Sequence, residues 1–157
     1  MNVMITGVAG FMGSHLADEF IRRGHKVVGI DNLVGGYCEN IPGSVEFYKK
    51  DLSDFDDVER YFKDIDLVVH TACTAYEGLS VFSPALITKN TSHITTVALS
   101  ASVKHGVKKF VHMSSMARYG EQDILPFTED MVPKPQDPYG IAKYASELLI
   151  KNICESY

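Results

Sequence analysis

The chain has no long apolar run. No stretch of its 157 residues approaches the roughly eighteen consecutive apolar positions that a membrane-spanning helix needs. The first residues enter a strand pattern directly, with neither a basic head nor a small-residue cleavage site. Lysine and arginine form no run, and a formal net charge of -5 gives no field to attract phosphate backbones, which argues against nucleic acid as a partner. Cysteine is scarce. Cys38, Cys73 and Cys154 are odd in number, widely spaced and form no C-x-x-C pair, which suits reduced thiols read as small buried hydrophobes. The six histidines include no pair at helical ligand spacing and none beside a cysteine, which leaves no metal site. Repeats, low-complexity tracts and linkers are absent as well. What remains is one soluble, cytoplasmic domain, with no membrane partner, whose 45% hydrophobic content suffices for a core.

Short apolar runs alternate with longer segments of helical period, the pattern of β-α-β units around a parallel sheet. Strands are expected at Asn2 to Thr6, Lys26 to Ile30, Val45 to Lys49, Leu67 to Thr71 and Phe110 to Ser114. Helices are expected from Met12 to Gly24, with Leu16, Phe20 and Ile21 on one face, from Ser53 to Phe62, and from Pro84 to Gly106. A last helix runs from about Pro138, with Ile141, Tyr144, Ala145, Leu148 and Leu149 at helical spacing. The prolines at 126, 133, 135 and 138 stiffen the loop before it.

The first strand breaks into Gly7, Gly10 and Gly13. This spacing, G-x-x-G-x-x-G rather than G-x-G-x-x-G, suits a tight turn, a close backbone approach to a diphosphate, and a helix packed against the sheet. A diphosphate would then meet the amide groups of a helix starting near Phe11 and Met12. About twenty residues further on, the second strand ends in Asp31-Asn32, where a carboxylate can accept both ribose hydroxyls of a dinucleotide. That carboxylate would repel a 2'-phosphate, which favours NAD over NADP.

Tyr139 and Lys143 are four residues apart and so share one helix face. An ammonium about 4 Å from a phenol, at an effective dielectric near 20, favours the phenolate by up to ~4 kcal/mol, about three pK units. A tyrosine is thereby drawn from ~10 toward ~7, the working range of a general base. Ser114-Ser115 closes the fifth expected strand, where a hydroxyl can bond a substrate oxygen that loses its proton; a capping or turn role is the alternative. The glycine loop and this trio together point to nicotinamide redox chemistry on an alcohol.

The order Thr6-Gly7-x-x-Gly10-x-x-Gly13, Asp31-Asn32, Asp51-Leu52, His70-Thr71-Ala72, Asn90, Ser114-Ser115-x-x-x-Tyr119-Gly120 and Pro138-Tyr139-Gly140-x-x-Lys143 resembles the extended short-chain dehydrogenase/reductases. Within them it is most similar to the NAD-dependent epimerase/dehydratase family, of the UDP-glucose 4-epimerase type. The resemblance implies a Rossmann-type doubly wound α/β fold, with residues 1–157 forming its NAD-binding part, truncated before a C-terminal substrate domain. It implies that Asp51 and Leu52 flank the adenine, that Thr71, Ala72 and Cys73 line the cofactor path, and that Asn90 lies near the nicotinamide ribose. Ser115 matches the catalytic hydroxyl residue, Tyr139 the base, and Lys143 the bridge between ribose and phenol. A UDP-sugar substrate and a homodimer are implied in the same way.

Dehydratases of this family carry an acidic pair after the catalytic hydroxyl residue, and here Met116-Ala117 stand there. Epimerisation needs no such carboxylate, so the expected reaction is C4 epimerisation of a UDP-hexose through its 4-keto form. Two other readings stand beside it. One is a non-catalytic NAD-binding sensor or scaffold, and the other a dehydratase or reductase of the same fold.

Overall fold

Strands β1 (Asn2–Thr6), β2 (Lys26–Asp31), β3 (Glu46–Lys49), β4 (Leu67–His70) and β5 (Lys109–His112) pair in one parallel sheet, in a computed structural model describing all residues 1–157. The chain packs as two units, Met1–Cys73 with Val97–Met113, and Thr74–Thr96 with Ser114–Tyr157. The whole sheet belongs to the first. Its order is β3-β2-β1-β4-β5, so successive crossovers leave β1 in opposite directions and a switch point lies between β1 and β4. This is the five-strand parallel arrangement of the Rossmann fold.

Strand ends follow the ladder. β5 pairs only with β4, whose last partner pair is His70 with His112, so β5 stops at His112 rather than reaching Ser114. β2 gains Asp31 because Asp31 pairs with Lys49, and β3 begins at Glu46 opposite Val28. β1 presents Val3 and Ile5 to a core with Val8, Ala17, Val27 and Val69, onto which α1 (Phe11–Arg22) lays Leu16, Phe20 and Ile21. α1 ends at Arg22, and Gly24 takes a positive φ two residues on.

Two expected helices are shorter or broken. Asp54 caps α2 (Phe55–Val58) by accepting the Asp57 amide proton at 3.2 Å, but the α-helix lasts one turn and tightens to a 3₁₀ turn at Glu59–Phe62. Glu59 accepts from His105 at 2.5 Å and pairs with Lys104 at 3.2 Å. The His105 bond, then that of Lys104, holds its carboxyl below the usual glutamate range. The expected helix from Pro84 to Gly106 divides into α3 (Pro84–Thr88) and α4 (Ile94–Lys104) around a π-turn at Lys89–His93, where Asn90 leaves helical geometry (φ -84, ψ 15). Ser92, Thr95 and Thr96 each bond the carbonyl four residues back, the interaction that bends helices rich in serine and threonine.

In the second unit α5 (Pro138–Ser156) starts sharply because Asp137 accepts amide protons from Tyr139 at 2.9 Å and Gly140 at 3.0 Å, and Pro138 occupies the first turn. Its buried stripe is Tyr139, Gly140, Ala142, Lys143 and Ser146. The apolar residues that mark the helix in sequence, Ile141, Leu148 and Leu149, are exposed instead. The cysteines also depart from expectation: all three are free, but Cys38 and Cys154 are exposed, in a surface 3₁₀ turn and the last turns of α5, and only Cys73 is partly covered. No helix is long and apolar enough to cross a membrane, and no three His, Cys, Asp or Glu side chains group as metal ligands would.

Candidate functional site

At the end of β1, Gly7 turns with φ +74 and donates its amide to Ile30 at 2.8 Å. A Cβ there would meet Ala72 backbone atoms at 2.8 Å, so the glycine lets the loop lie directly on the turn after β4. That turn is tied back: the Thr71 hydroxyl donates to the Thr6 carbonyl at 2.7 Å, and the Thr6 hydroxyl is 2.7 Å from His70 Nδ1. Gly10 is the N-cap of α1 and brings no side chain to its amides, and the first turn contains no acidic residue. Phe11 and Met12 are exposed beside it. The helix therefore offers uncapped N–H groups and the positive end of its dipole to an anion.

Asp31 has a second task that sequence alone missed. Its Oδ2 accepts the Ala9 amide proton at 3.0 Å and its Oδ1 that of Leu33 at 2.8 Å, so the carboxylate braces the glycine loop. Lone pairs remain on both oxygens for ribose hydroxyls. Asn32 closes a turn by accepting from Val34 at 3.1 Å. The Ala9 carbonyl accepts from the Tyr37 amide at 3.1 Å and from Asn40 Nδ2 at 3.0 Å, and a Cβ on Gly36 would lie 2.7 Å from Ala9. The Gly35-Gly36 pair was the available sign of this close approach. Asp51 turns on the Ser53 amide at 2.9 Å, Leu52 is buried, and Cys73 is partly covered.

The second unit holds the other candidates. Tyr139 is 7% exposed and Lys143 only 2%, with Nζ over the tyrosine ring, 5.8 Å from its centroid. Ser115 lies past the strand rather than on it. It caps a 3₁₀ turn, Met116–Arg118, by accepting the Ala117 amide proton at 3.2 Å. The capping role does not consume the hydroxyl proton, which Ser115 can still donate. This turn packs closely on α5, since a Cβ on Gly140 would lie 2.5 Å from the Ala117 carbonyl oxygen. Asn90 anchors the segment after Cys73, its carbonyl accepting the Thr74 amide at 3.2 Å and its side chain bonding Thr74 Oγ1 at 3.1 Å. Asp137 also receives the buried Ser80 hydroxyl at 3.2 Å, a link that sequence reasoning did not find, although Asp before Pro at a helix start was the available signal.

The family model for the NAD dependent epimerase/dehydratase family matches residues 3–157. A UDP-arabinose 4-epimerase of Arabidopsis thaliana is 36% identical over 160 residues, covering 95% of this chain and 38% of that protein. Among solved structures, a UDP-glucose 4-epimerase from Thermotoga maritima with UDP-glucose superposes with a TM-score of 0.97 at 37% identity, over 100% of this chain and 52% of its own. The Thermus thermophilus UDP-glucose 4-epimerase in complex with NAD gives a TM-score of 0.94 at 35% identity, over 100% and 52%. The chain thus spans between two-fifths and about half the length of these relatives.

Proposed function

The chain belongs to the NAD-dependent epimerase/dehydratase family, and on that footing we propose that it forms the NAD-binding part of a UDP-sugar 4-epimerase. The single observation that carries the reading is the buried ammonium of Lys143 over the Tyr139 ring, on a helix whose start is fixed by Asp137. An ammonium held beside a phenol favours its ionised form, and a phenolate is the base that removal of an alcohol proton requires.

The first unit suits the dinucleotide. Gly7 and Gly13 let the loop and α1 pack backbone against backbone, since a Cβ at either would come within 2.8 Å of a neighbouring backbone atom. α1 carries neither a capping side chain nor an acidic first turn, which leaves its amides open to a diphosphate. Asp31 would take the adenosine ribose hydroxyls, with Asp51 and Leu52 at the adenine, and Thr71, Ala72 and Cys73 along the cofactor path; the family resemblance gives Asn90, in the second unit, to the nicotinamide ribose. NAD, when bound, supplies the acceptor and donor of hydride.

Tyr139 takes the proton of the C4 hydroxyl of a UDP-hexose, Ser115 donates a hydrogen bond to the same oxygen, and Lys143 holds the charge that keeps the phenol ready. When the 4-keto sugar has turned over, so that its opposite face would meet the hydride donor, Tyr139 returns the proton to the C4 oxygen. Met116-Ala117 follow Ser115 where dehydration would need carboxylates, which supports epimerisation. The exposed Ile141, Leu148 and Leu149 on α5 support a homodimer through that helix, and the free cysteines a cytoplasmic setting.

The dinucleotide that copurifies with the protein made from its whole gene tests this reading. NAD is expected, released on denaturation and identified by mass. NADP in its place contradicts the role given to Asp31.

A further inference from the structure

Glu147 stands one turn beyond Lys143 and has no part in the chemistry above. Positions 139, 143 and 147 lie along one face of α5. The Glu147 carboxylate is divided between two partners: Oε1 accepts from the Ser114 hydroxyl, and Oε2 pairs with the Arg118 guanidinium at 3.2 Å. Both partners bracket Ser115, since Ser114 precedes it and Arg118 ends the 3₁₀ turn that it caps. The ion pair is sheltered, with side chains 22% and 24% exposed, so solvent and salt screen it less than a surface pair.

Arg118 is fixed by few polar contacts of its own. Its guanidinium lies 4.8 Å from the centroid of the Tyr119 ring and 5.8 Å from that of Tyr144, while Nε is buried with no hydrogen-bond partner. Nη1 also donates to the Tyr119 hydroxyl at 3.4 Å, so the pairing with Glu147 is the charged link that ties Arg118 to α5. Seven residues earlier on α5, about 10 Å along the axis, Gly140 meets the Ala117 carbonyl of the same turn. The Ser115 segment is held on α5 at two places, which fixes its rotation as well as its distance.

We propose that Glu147 is a positioning residue: by gripping Ser114 and Arg118 it aims the Ser115 hydroxyl with respect to Tyr139. The proposal rests on the functional reading above. A hydroxyl misplaced by about 1 Å loses up to ~100-fold in rate, so Glu147→Ala is expected to lower kcat by about 10- to 100-fold. KM for the UDP-sugar and NAD content should stay within about twofold, since the Glu147 carboxylate is engaged by Ser114 and Arg118.

The deciding measurement is a double-mutant cycle on the NAD-loaded protein made from its whole gene. If Glu147 acts through Ser115, Glu147→Ala costs less than about twofold once Ser115 is alanine. An equal fold-loss in both backgrounds, or no loss of kcat in the single variant, overturns the proposal. Should Glu147→Ala fail to fold, Glu147→Gln carries the same cycle, because it removes the carboxylate charge facing Arg118 while keeping an acceptor for Ser114. Loss of turnover in Tyr139→Phe with full turnover in Glu147→Ala overturns the positioning role alone. Turnover retained in both Tyr139→Phe and Ser115→Ala overturns the functional reading, and the positioning role with it.

Discussion

Tyr139→Phe in the NAD-loaded protein is expected to lower turnover by about 10²- to 10⁴-fold, the range that a general base contributes, and to leave NAD bound. The change is confined to one atom. Tyr139 is 7% exposed and its ring supports the buried start of α5, and phenylalanine keeps that packing and the face over which Lys143 lies. Only the oxygen that takes the proton is gone. Steady-state kcat and the NAD content of the purified variant provide the check. A fall in both together would mean that the hydroxyl is needed to hold NAD rather than for proton transfer alone, and unchanged kcat would remove Tyr139 from the chemistry.

Gly13→Ala is expected to abolish cofactor binding by a different route. A Cβ at this position would lie 2.1 Å from the Gly7 carbonyl oxygen and 2.8 Å from its carbon, both backbone atoms that cannot rotate away. Either α1 backs off the sheet or the Gly7 turn opens, and both move the amide groups that face the diphosphate. Losing two charge-assisted hydrogen bonds, each worth about 1.5–3 kcal/mol, raises the Kd for NAD by about 100-fold or more. The overpacking itself costs a further 1–3 kcal/mol or so of stability, seen as a lower Tm. Gly43→Ala, where nothing lies within 4 Å, is the matched control and should leave both unchanged. Isothermal titration with NAD, beside thermal unfolding of both variants, separates the effects.

Much of the fold was legible because its signals are local. The apolar runs placed all five strands within two residues, and the face of Leu16, Phe20 and Ile21 packs on the core as its spacing required. The failures are equally physical. The break at Asn90 depends on hydroxyls bonding back to carbonyls within a helix, which residue spacing alone does not distinguish from a straight one. In α5 the 3.6-residue period identified a helix but not which side it buries. The stripe Tyr139, Lys143 and Ser146 is polar and buried, while Ile141, Leu148 and Leu149 face outward.

The glycine loop and the Tyr139 and Lys143 pair were readable from spacing, because their geometry comes from single elements. What supports them was not. Asp31 bracing Ala9, Asn40 reaching the same residue, Ser80 on Asp137 and Glu147 on Arg118 are contacts between positions 22 to 57 residues apart. Only the folded chain brings such pairs together, and single-sequence patterns carry no record of them.

The central claim, that Tyr139 serves a reversible oxidation at C4, is tested most directly by UDP-glucose carrying deuterium at C4, supplied to the NAD-loaded protein made from its whole gene. The C4 epimer is expected with the label still on C4, and none from the Tyr139→Phe variant, because the hydride that leaves is the one that returns. Deuterium lost from C4 to solvent, or a product dehydrated rather than inverted, would contradict it.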